Sequence, residues 1–336
     1  MSNWYSENNK NADIVVSTRI RLARNLIGLP FPSRMTETQL HELKQRVKSA
    51  ISESNTPFSK ELKFIDMADV PEMEVNAMVE RHVISPEFAQ SKKERAIILS
   101  DDESISIMIG EEDHIRIQVI KGGLCLEEAY DIAERLDSLL YTKLHFAFDS
   151  ELGFLTECPT NLGTGLRASV MLHLPMCESE GEISLLSETV AKIGFTVRGM
   201  YGEGSKSKAS LYQISNQITL GISEKNAIDN LKIITTQLIE KEKNLRNKFS
   251  RIKIEDITFR ALGILSNSRI LNTAEMMNLL SRIKLGVSMG ILKEKINPIK
   301  LLVEGQPYML MKKFGDMSPE ERDICRATYI RENLGD

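Results

Sequence analysis

Between residues 105 and 120 the chain alternates apolar and polar side chains. ISIMIG and HIRIQVI both follow the period of a half-buried strand, and acidic EEDH supplies the turn between them. After Gly122 and Gly123 the period changes to that of a helix, and LEEAYDIAERLDSLLYTKL reads as one long amphipathic segment. HFAFDSELGFLT then resembles a hairpin, ASVMLHLP a buried strand and ISLLSETVAKIG a helix. FTVRGMYG and ASLYQISNQITLG are two more strands. Several strands adjoin through turns too short to hold a helix, so the sheet is expected to be mostly antiparallel. From Ser223 onward SEKNAIDNLKIITTQLIEKEKNLRNKFS and its successors are helical, broken only by short stretches such as SNSRILN and INP. The expectation is an α+β fold: a sheet flanked by helices over residues 1–222, then an all-α unit over 223–336. There is no internal repeat and no low-complexity linker.

Composition narrows the class. The chain has 336 residues, 42% hydrophobic and 27% charged, with a formal net charge of −4. That length accommodates two domains and a sizeable core. The charge balance lacks the basic footprint of nucleic-acid-binding domains, so no direct nucleic-acid contact is expected. No apolar run approaches the ~18 residues of a membrane span, and the N-terminal MSNWYSENNKNAD has no signal-peptide pattern. A cytoplasmic protein away from membranes is expected. Cys125, Cys158, Cys177 and Cys325 are scattered without CxxC spacing. This argues against a disulfide framework or a zinc site, and no protein-held metal is expected.

Candidate chemistry lies in four segments. In STRIRLAR, Arg19 and Arg21 share one strand face while Ile20 and Leu22 share the other. GEEDHIRIQVI sets Glu112, His114, Arg116 and Gln118 against Ile115, Ile117 and Val119. CPTNLGTGLRAS has two glycines and then Arg167, but no Gly-Lys-Ser/Thr and no third glycine, so it is neither a P-loop nor a dinucleotide fingerprint. Arg198 opens RGMYGEG. Five arginines beside glycines or carboxylates point to a polyanion, because guanidinium forks grip phosphate bidentately and stay charged.

STRIR, GEEDHIR, CPTNLGTGLR and RGMYGE, in this order, resemble the phosphagen kinases, the arginine and creatine kinase family, over residues 14–222. The resemblance implies a catalytic domain built on an antiparallel sheet and working on Mg-ATP, with Mg2+ carried by the nucleotide. It places the phosphates on Arg19, Arg21, Arg116, Arg167 and Arg198. The nucleotide-binding stretches would be Ser17, Thr18, Arg19, Ile20 and Arg21; Arg167, Ala168, Ser169, Val170 and Met171; and Arg198, Gly199, Met200, Tyr201, Gly202 and Glu203. His82, in VERHVIS, matches the family's nucleotide-contacting histidine, although spacing alone makes it a surface helix residue. Glu112 and Glu203 match the catalytic carboxylates, with Glu111 and Asp113 supporting, and Cys158 as a thiolate would face the acceptor. The glycine turn is expected to bring backbone close to the nucleotide. Taking a proton from a guanidinium at pH 7 costs roughly 9 kcal/mol, so a carboxylate must orient the group and accept the proton as the new bond forms.

Two departures bear on the acceptor. STRIR begins at residue 17, without the small helical domain that precedes it in kinases of free guanidino compounds, and roughly 110 helical residues follow the sheet. Both resemble the branch of the family that phosphorylates arginine in proteins. That branch implies protein substrates with exposed arginines, marking of targets for Clp ATPase/protease degradation, a McsA-like activator protein, and a homodimer or larger homo-oligomer. RDICRA fits its RDxxRA motif, which implies that Arg322, Asp323 and Arg326 hold phosphoarginine as an allosteric ligand. From spacing alone the same segment is an exposed, salt-bridged helix, its start marked by the capping box of Ser318 and Glu321. Two competing readings are a kinase of free arginine and a non-catalytic phosphoarginine-binding adaptor.

Overall fold

A computed structural model describes residues 3–6, 13–200, 207–293 and 295–334. Ten strands run in chain order: β1 Val15–Arg24, β2 Leu62–Asp66, β3 Ala96–Ser100, β4 Ile105–Ile109, β5 Ile115–Gly122, β6 Phe148–Asp149, β7 Gly153–Phe154, β8 Leu166–His173, β9 Phe195–Gly199 and β10 Leu211–Asn216. Eight of them form one sheet in the order β2-β3-β4-β5-β1-β8-β10-β9, with every pairing antiparallel; β6 and β7 make a separate hairpin.

The back of the sheet is mostly apolar. Ile20, Leu22, Ile117, Val119, Ala168, Val170 and Ile214 join one buried cluster with residues of helices Glu37–Ser52, Leu126–Lys143 and Glu224–Lys248. The front changes character along each strand. On β5 the outward positions run Arg116, Gln118, Ile120; on β8 they run Arg167, Ser169, Met171; on β10, Gln213 is followed toward the N-terminal end by Leu211. Ile120, Met171 and Leu211 lie beneath the C-terminal helices in a second cluster. Met108 and Ile97 are covered by the segment 67–88 in a third. Between these two covers the front face keeps a polar strip, and the arginines stand on it.

Helix Glu224–Lys248, expected to open the helical unit from residue 223, packs on the sheet. Its Ile228, Leu231, Ile234 and Leu238 are buried in the sheet's cluster. Burying each such side chain contributes ~1.5–3 kcal/mol, which commits the helix to that surface. The helix ends at Lys248, and after Phe249 and Ser250 the helix Arg251–Asn267 begins. A buried polar junction ties sheet and helical unit. Arg246 donates to Glu242 (2.9 Å) and to Ser288 (2.9 Å), Glu242 accepts from the backbone N–H groups of Met176 and Cys177, and His173 Nε2 meets Ser281 Oγ at 2.8 Å.

Candidate active site

Register brings the arginines together. Arg21 on β1 lies opposite Arg167 on β8 and Gln118 on β5, and Ala23 lies opposite Arg116. Arg198 on β9 faces Gln213 on β10, whose Oε1 accepts from Arg19 at 2.8 Å. The crowding has an electrostatic cost. Burial, then the charges of Arg116 and Arg167, lower Arg19 to about 10. Arg21 too is held well below its ordinary value, by burial and then by Arg19, Arg116 and Arg167. Burial and Arg198 lower Arg167. The Nε groups of Arg21 and Arg167 are buried without a hydrogen-bond partner among the described residues. Guanidinium groups held this close, with buried donors that meet no protein acceptor, suit the binding of an anion.

Two cavities open on this strip and share Arg21 and Arg116. The smaller, about 210 Å3, is lined by Glu112, Cys158, Thr160, Asn161, Gly165 and Arg167 as well. The larger, about 550 Å3, adds Arg19, His82, Met200 and Gln213, an apolar wall of Val79, Ile84 and Met108, and Thr273, Gln306 and Pro307 from the C-terminal helices.

The carboxylates divide their work. Glu111, with only 3% of its side chain exposed, accepts from Arg116 at 2.5 Å and from Ser85 at 2.7 Å, and so fixes that arginine. Glu112 is 42% exposed and touches Arg116 and Asn161 at only 3.3 and 3.5 Å. Desolvation raises its pKa, and Asp113, Glu111 and Glu157 add to the rise against the opposing effect of Arg116. Asp113 is fully buried, and its Oδ1 accepts from Asn25 (2.7 Å) and from the Glu157 backbone N–H (2.8 Å). It thereby stitches the EEDH turn to the loop that carries Cys158. Cys158 is half-buried, with Sγ 3.0 Å from Thr160 Oγ1. His114 does not continue the strand face. It is buried in the turn, where Nδ1 accepts from the Leu26 N–H and Nε2 therefore donates to Pro30 O.

Several side chains in the expected nucleotide-binding stretches point away from the polar strip. Ile20, Ala168 and Val170 point to the back of the sheet and are 0% exposed, as strand alternation requires. Thr18 also faces back, donating to Gly123 O and accepting from Cys125 N–H. Met171 lies under the helical unit, and Ser17 and Ser169 are buried. Gly199 ends β9, and Met200 lines the larger cavity. Tyr201, Gly202 and Glu203 fall outside the described residues. The glycines of CPTNLGTGLR serve the protein's own backbone. A Cβ on Gly163 would sit 2.3 Å from Thr219 O, and one on Gly165 would sit 2.6 Å from Ala23 O and 2.7 Å from Arg24 Nη1. Arg24, which no motif marks, reaches through that gap to Thr164 O and binds Asp137.

Arg326, 1% exposed, is not part of an open surface. It donates to Gly305 O and Leu271 O at 2.8 Å each and pairs with Asp323. Arg322 is half-buried against Met311.

Two family profiles match this chain: "ATP:guanido phosphotransferase, C-terminal catalytic domain" over residues 42–245, and "Protein-arginine kinase McsB C-terminal domain" over 251–336. A protein-arginine kinase of Clostridium kluyveri is 46% identical over 345 residues, covering 99% of both chains. The chain belongs to the protein-arginine kinase family. It is therefore an ATP-dependent arginine kinase. A second protein-arginine kinase, from Caldanaerobacter subterraneus subsp. tengcongensis, is 43% identical, covering 96% of this chain and 97% of that one. Solved phosphagen kinases share the fold. Lombricine kinase superposes with a TM-score of 0.62 at 23% identity over 71% of this chain and 69% of its own. The duplicated taurocyamine kinase from Schistosoma mansoni gives 0.62 at 24% over 95% of this chain and 43% of its own. The first profile ends just before Lys248, in keeping with a helix that packs on the sheet.

Proposed function

We propose that this kinase transfers the γ-phosphoryl group of ATP to arginine side chains of proteins. Its two cavities would hold the two reactants, nucleotide in the larger and acceptor guanidinium in the smaller. The observation that carries this reading is the unpartnered N–H of Arg21, a residue that lines both cavities. A phosphoryl group in flight between them would lie on Arg21 and Arg116, with Arg167 from the acceptor side and Arg19 from the nucleotide side. Such positioning and charge neutralisation are most of what an enzyme contributes to phosphoryl transfer. The apolar wall beside His82 suits a planar base.

On the acceptor side, Glu112 is held loosely and its proton affinity is raised, which suits a group that orients a guanidinium and takes its proton. Cys158 would face the same guanidinium, and Glu203 is proposed as the second carboxylate. Among the described residues no three His, Cys, Asp or Glu side chains gather as a metal site. Mg2+ commonly takes few protein ligands and binds through phosphates, so it fits here as an ion carried by the nucleotide, where it neutralises phosphate charge. No described helix is long and apolar enough to cross a membrane, and a cytoplasmic location is proposed. Marking for a Clp protease, a McsA-like activator, assembly into dimers and a regulatory phosphoarginine site at Arg322, Asp323 and Arg326 belong to the same proposal.

Incubation with Mg-ATP and an arginine-containing protein, followed by intact-mass and phosphosite analysis, tests it. Phosphoryl groups on arginine are expected. Phosphorylation of free arginine alone would replace the protein acceptor by a small guanidine, and no transfer at all would leave an adaptor.

A further inference from the structure

His82 has an unusual backbone for the role it is given. It follows helix Glu72–Glu80 with φ +62°, a left-handed conformation that residues with a Cβ avoid. Its neighbours hold it there. Its N–H donates to Val79 O at 2.9 Å, and its carbonyl accepts from Gln118 Nε2 at 2.8 Å. The residue before it is held more firmly still. Arg81 is clamped by Glu103 and Glu74, each at 2.8 Å, and its carbonyl accepts from the indole Nε1 of Trp4 at 3.0 Å. The Trp4 ring then lies against the imidazole, with centroids 5.9 Å apart and planes inclined at 40°.

Trp4 is 4% exposed and is itself gripped from the other side. Tyr5 meets it edge-on at 5.5 Å, Tyr5 is buried with the C-terminal helices, and Asn297 Nδ2 donates to Tyr5 O and Ser6 O at 3.3 and 3.4 Å. His82 lines the larger cavity and Trp4 does not. The indole therefore stands behind the imidazole, so that strained backbone, ring contact and anchorage converge on one side chain.

The geometry points to Trp4 as a positioning residue for nucleotide binding, acting through His82: the N-terminal segment holds the imidazole toward the cavity in a rotamer and backbone conformation it would not keep by itself. This rests on the placement of the nucleotide in the larger cavity, and the test separates the two. ATP affinity is measured by calorimetry on the full-length wild type and on Trp4→Ala, Trp4→Phe, His82→Ala and Trp4→Ala/His82→Ala. Trp4→Ala should bind ATP about 3- to 10-fold more weakly, the range that one aromatic pair contributes. Trp4→Phe keeps a ring and loses the indole N–H, so it should fall between Trp4→Ala and wild type. The double variant should bind no worse than His82→Ala, because a residue that acts only through His82 has nothing left to position. The rise should appear in KM for ATP with kcat nearly unchanged, which general loosening of the fold would not produce. Should Trp4→Ala fail to fold, the cycle is run with Trp4→Phe. Wild-type affinity in the Trp4 variants, or losses that add in full to those of His82→Ala, would overturn the inference. Wild-type affinity in His82→Ala would overturn instead the nucleotide's placement in that cavity.

Discussion

Glu112 and Glu111 are adjacent in sequence and opposite in circumstance. Glu111 is spent on Arg116 and Ser85, whereas Glu112 is exposed and only grazes its neighbours. Glu112→Gln should therefore lower kcat by ~10²–10⁴, the usual share of one general base, while ATP affinity stays unchanged. An unaltered turnover number would remove Glu112 from the chemistry. Arg21 offers the complementary test. Arg21→Lys replaces a fork whose Nε is buried and unpartnered with a group that cannot bind two oxygens at once. Both ATP affinity and kcat should fall, because Arg21 lines both cavities, and calorimetry with a turnover assay would show a loss in only one of them if the cavities held unrelated ligands.

Among the elements, two loops make the acceptor side, and neither is placed by the sheet alone. The EEDH turn and the Cys158 loop meet because Asp113 Oδ1 takes hydrogen bonds from Asn25 and from the backbone of Glu157. Asp113→Asn keeps the size and weakens both acceptances, so it should raise KM for the acceptor and lower kcat while leaving the ATP affinity intact. A parallel loss of nucleotide binding, measured by calorimetry, would mean that the damage had spread to the sheet. These loops are also where sequence was least legible. Strand alternation paired Arg19 with Arg21, and Arg116 with Gln118, on polar strand faces, since period two is fixed by the pleat; that these faces join, with Arg167 beside them, is set by strand register. The same period, carried one residue too far, put His114 on the face of Arg116, although the strand begins at Ile115. Glycine spacing in CPTNLGTGLR announced a close approach but not what was approached, because Thr219 and Ala23 are distant in the chain. The family motif named a stretch, and only alternation within it separates Arg167 from the buried Ala168 and Val170.

For the whole molecule, the junction between sheet and helical unit titrates. Burial, and then Lys284 and Arg246, hold His173 well below its ordinary pKa. The unfolded chain therefore binds the extra proton first. The stability that His173 contributes is complete above its unfolded pKa, ~6.5, and is lost as pH falls below it. Glu80, which accepts from the N–H groups of Tyr308 and Met309, is raised to about 7 by burial. There the folded chain holds the proton more tightly, so stability falls as pH rises from the ordinary carboxylate range through 7. Melting curves between pH 5 and 7 should flatten in His173→Gln and show a steeper acid loss in Glu80→Gln; slopes matching wild type would remove these groups from the balance. Arg326→Ala would strip the partners from two buried carbonyls at ~1–3 kcal/mol each, so it tests folding before it tests regulation. Arg322→Ala is the cleaner probe of phosphoarginine binding, and unchanged affinity for free phosphoarginine would dismiss that site.

Thr273, Gln306 and Pro307 reach the larger cavity from the C-terminal helical unit, across from the sheet. A ligand lying there touches both units at once and works as a fastener between them. Its binding free energy then counts against any opening that parts the units, by RT ln(1 + [L]/Kd). Amide hydrogens of helix Pro307–Phe314 should exchange with solvent more slowly in the presence of ATP, although none belongs to a phosphate-binding strand. The nucleotide that fuels the reaction would also help to keep the C-terminal helices on the sheet.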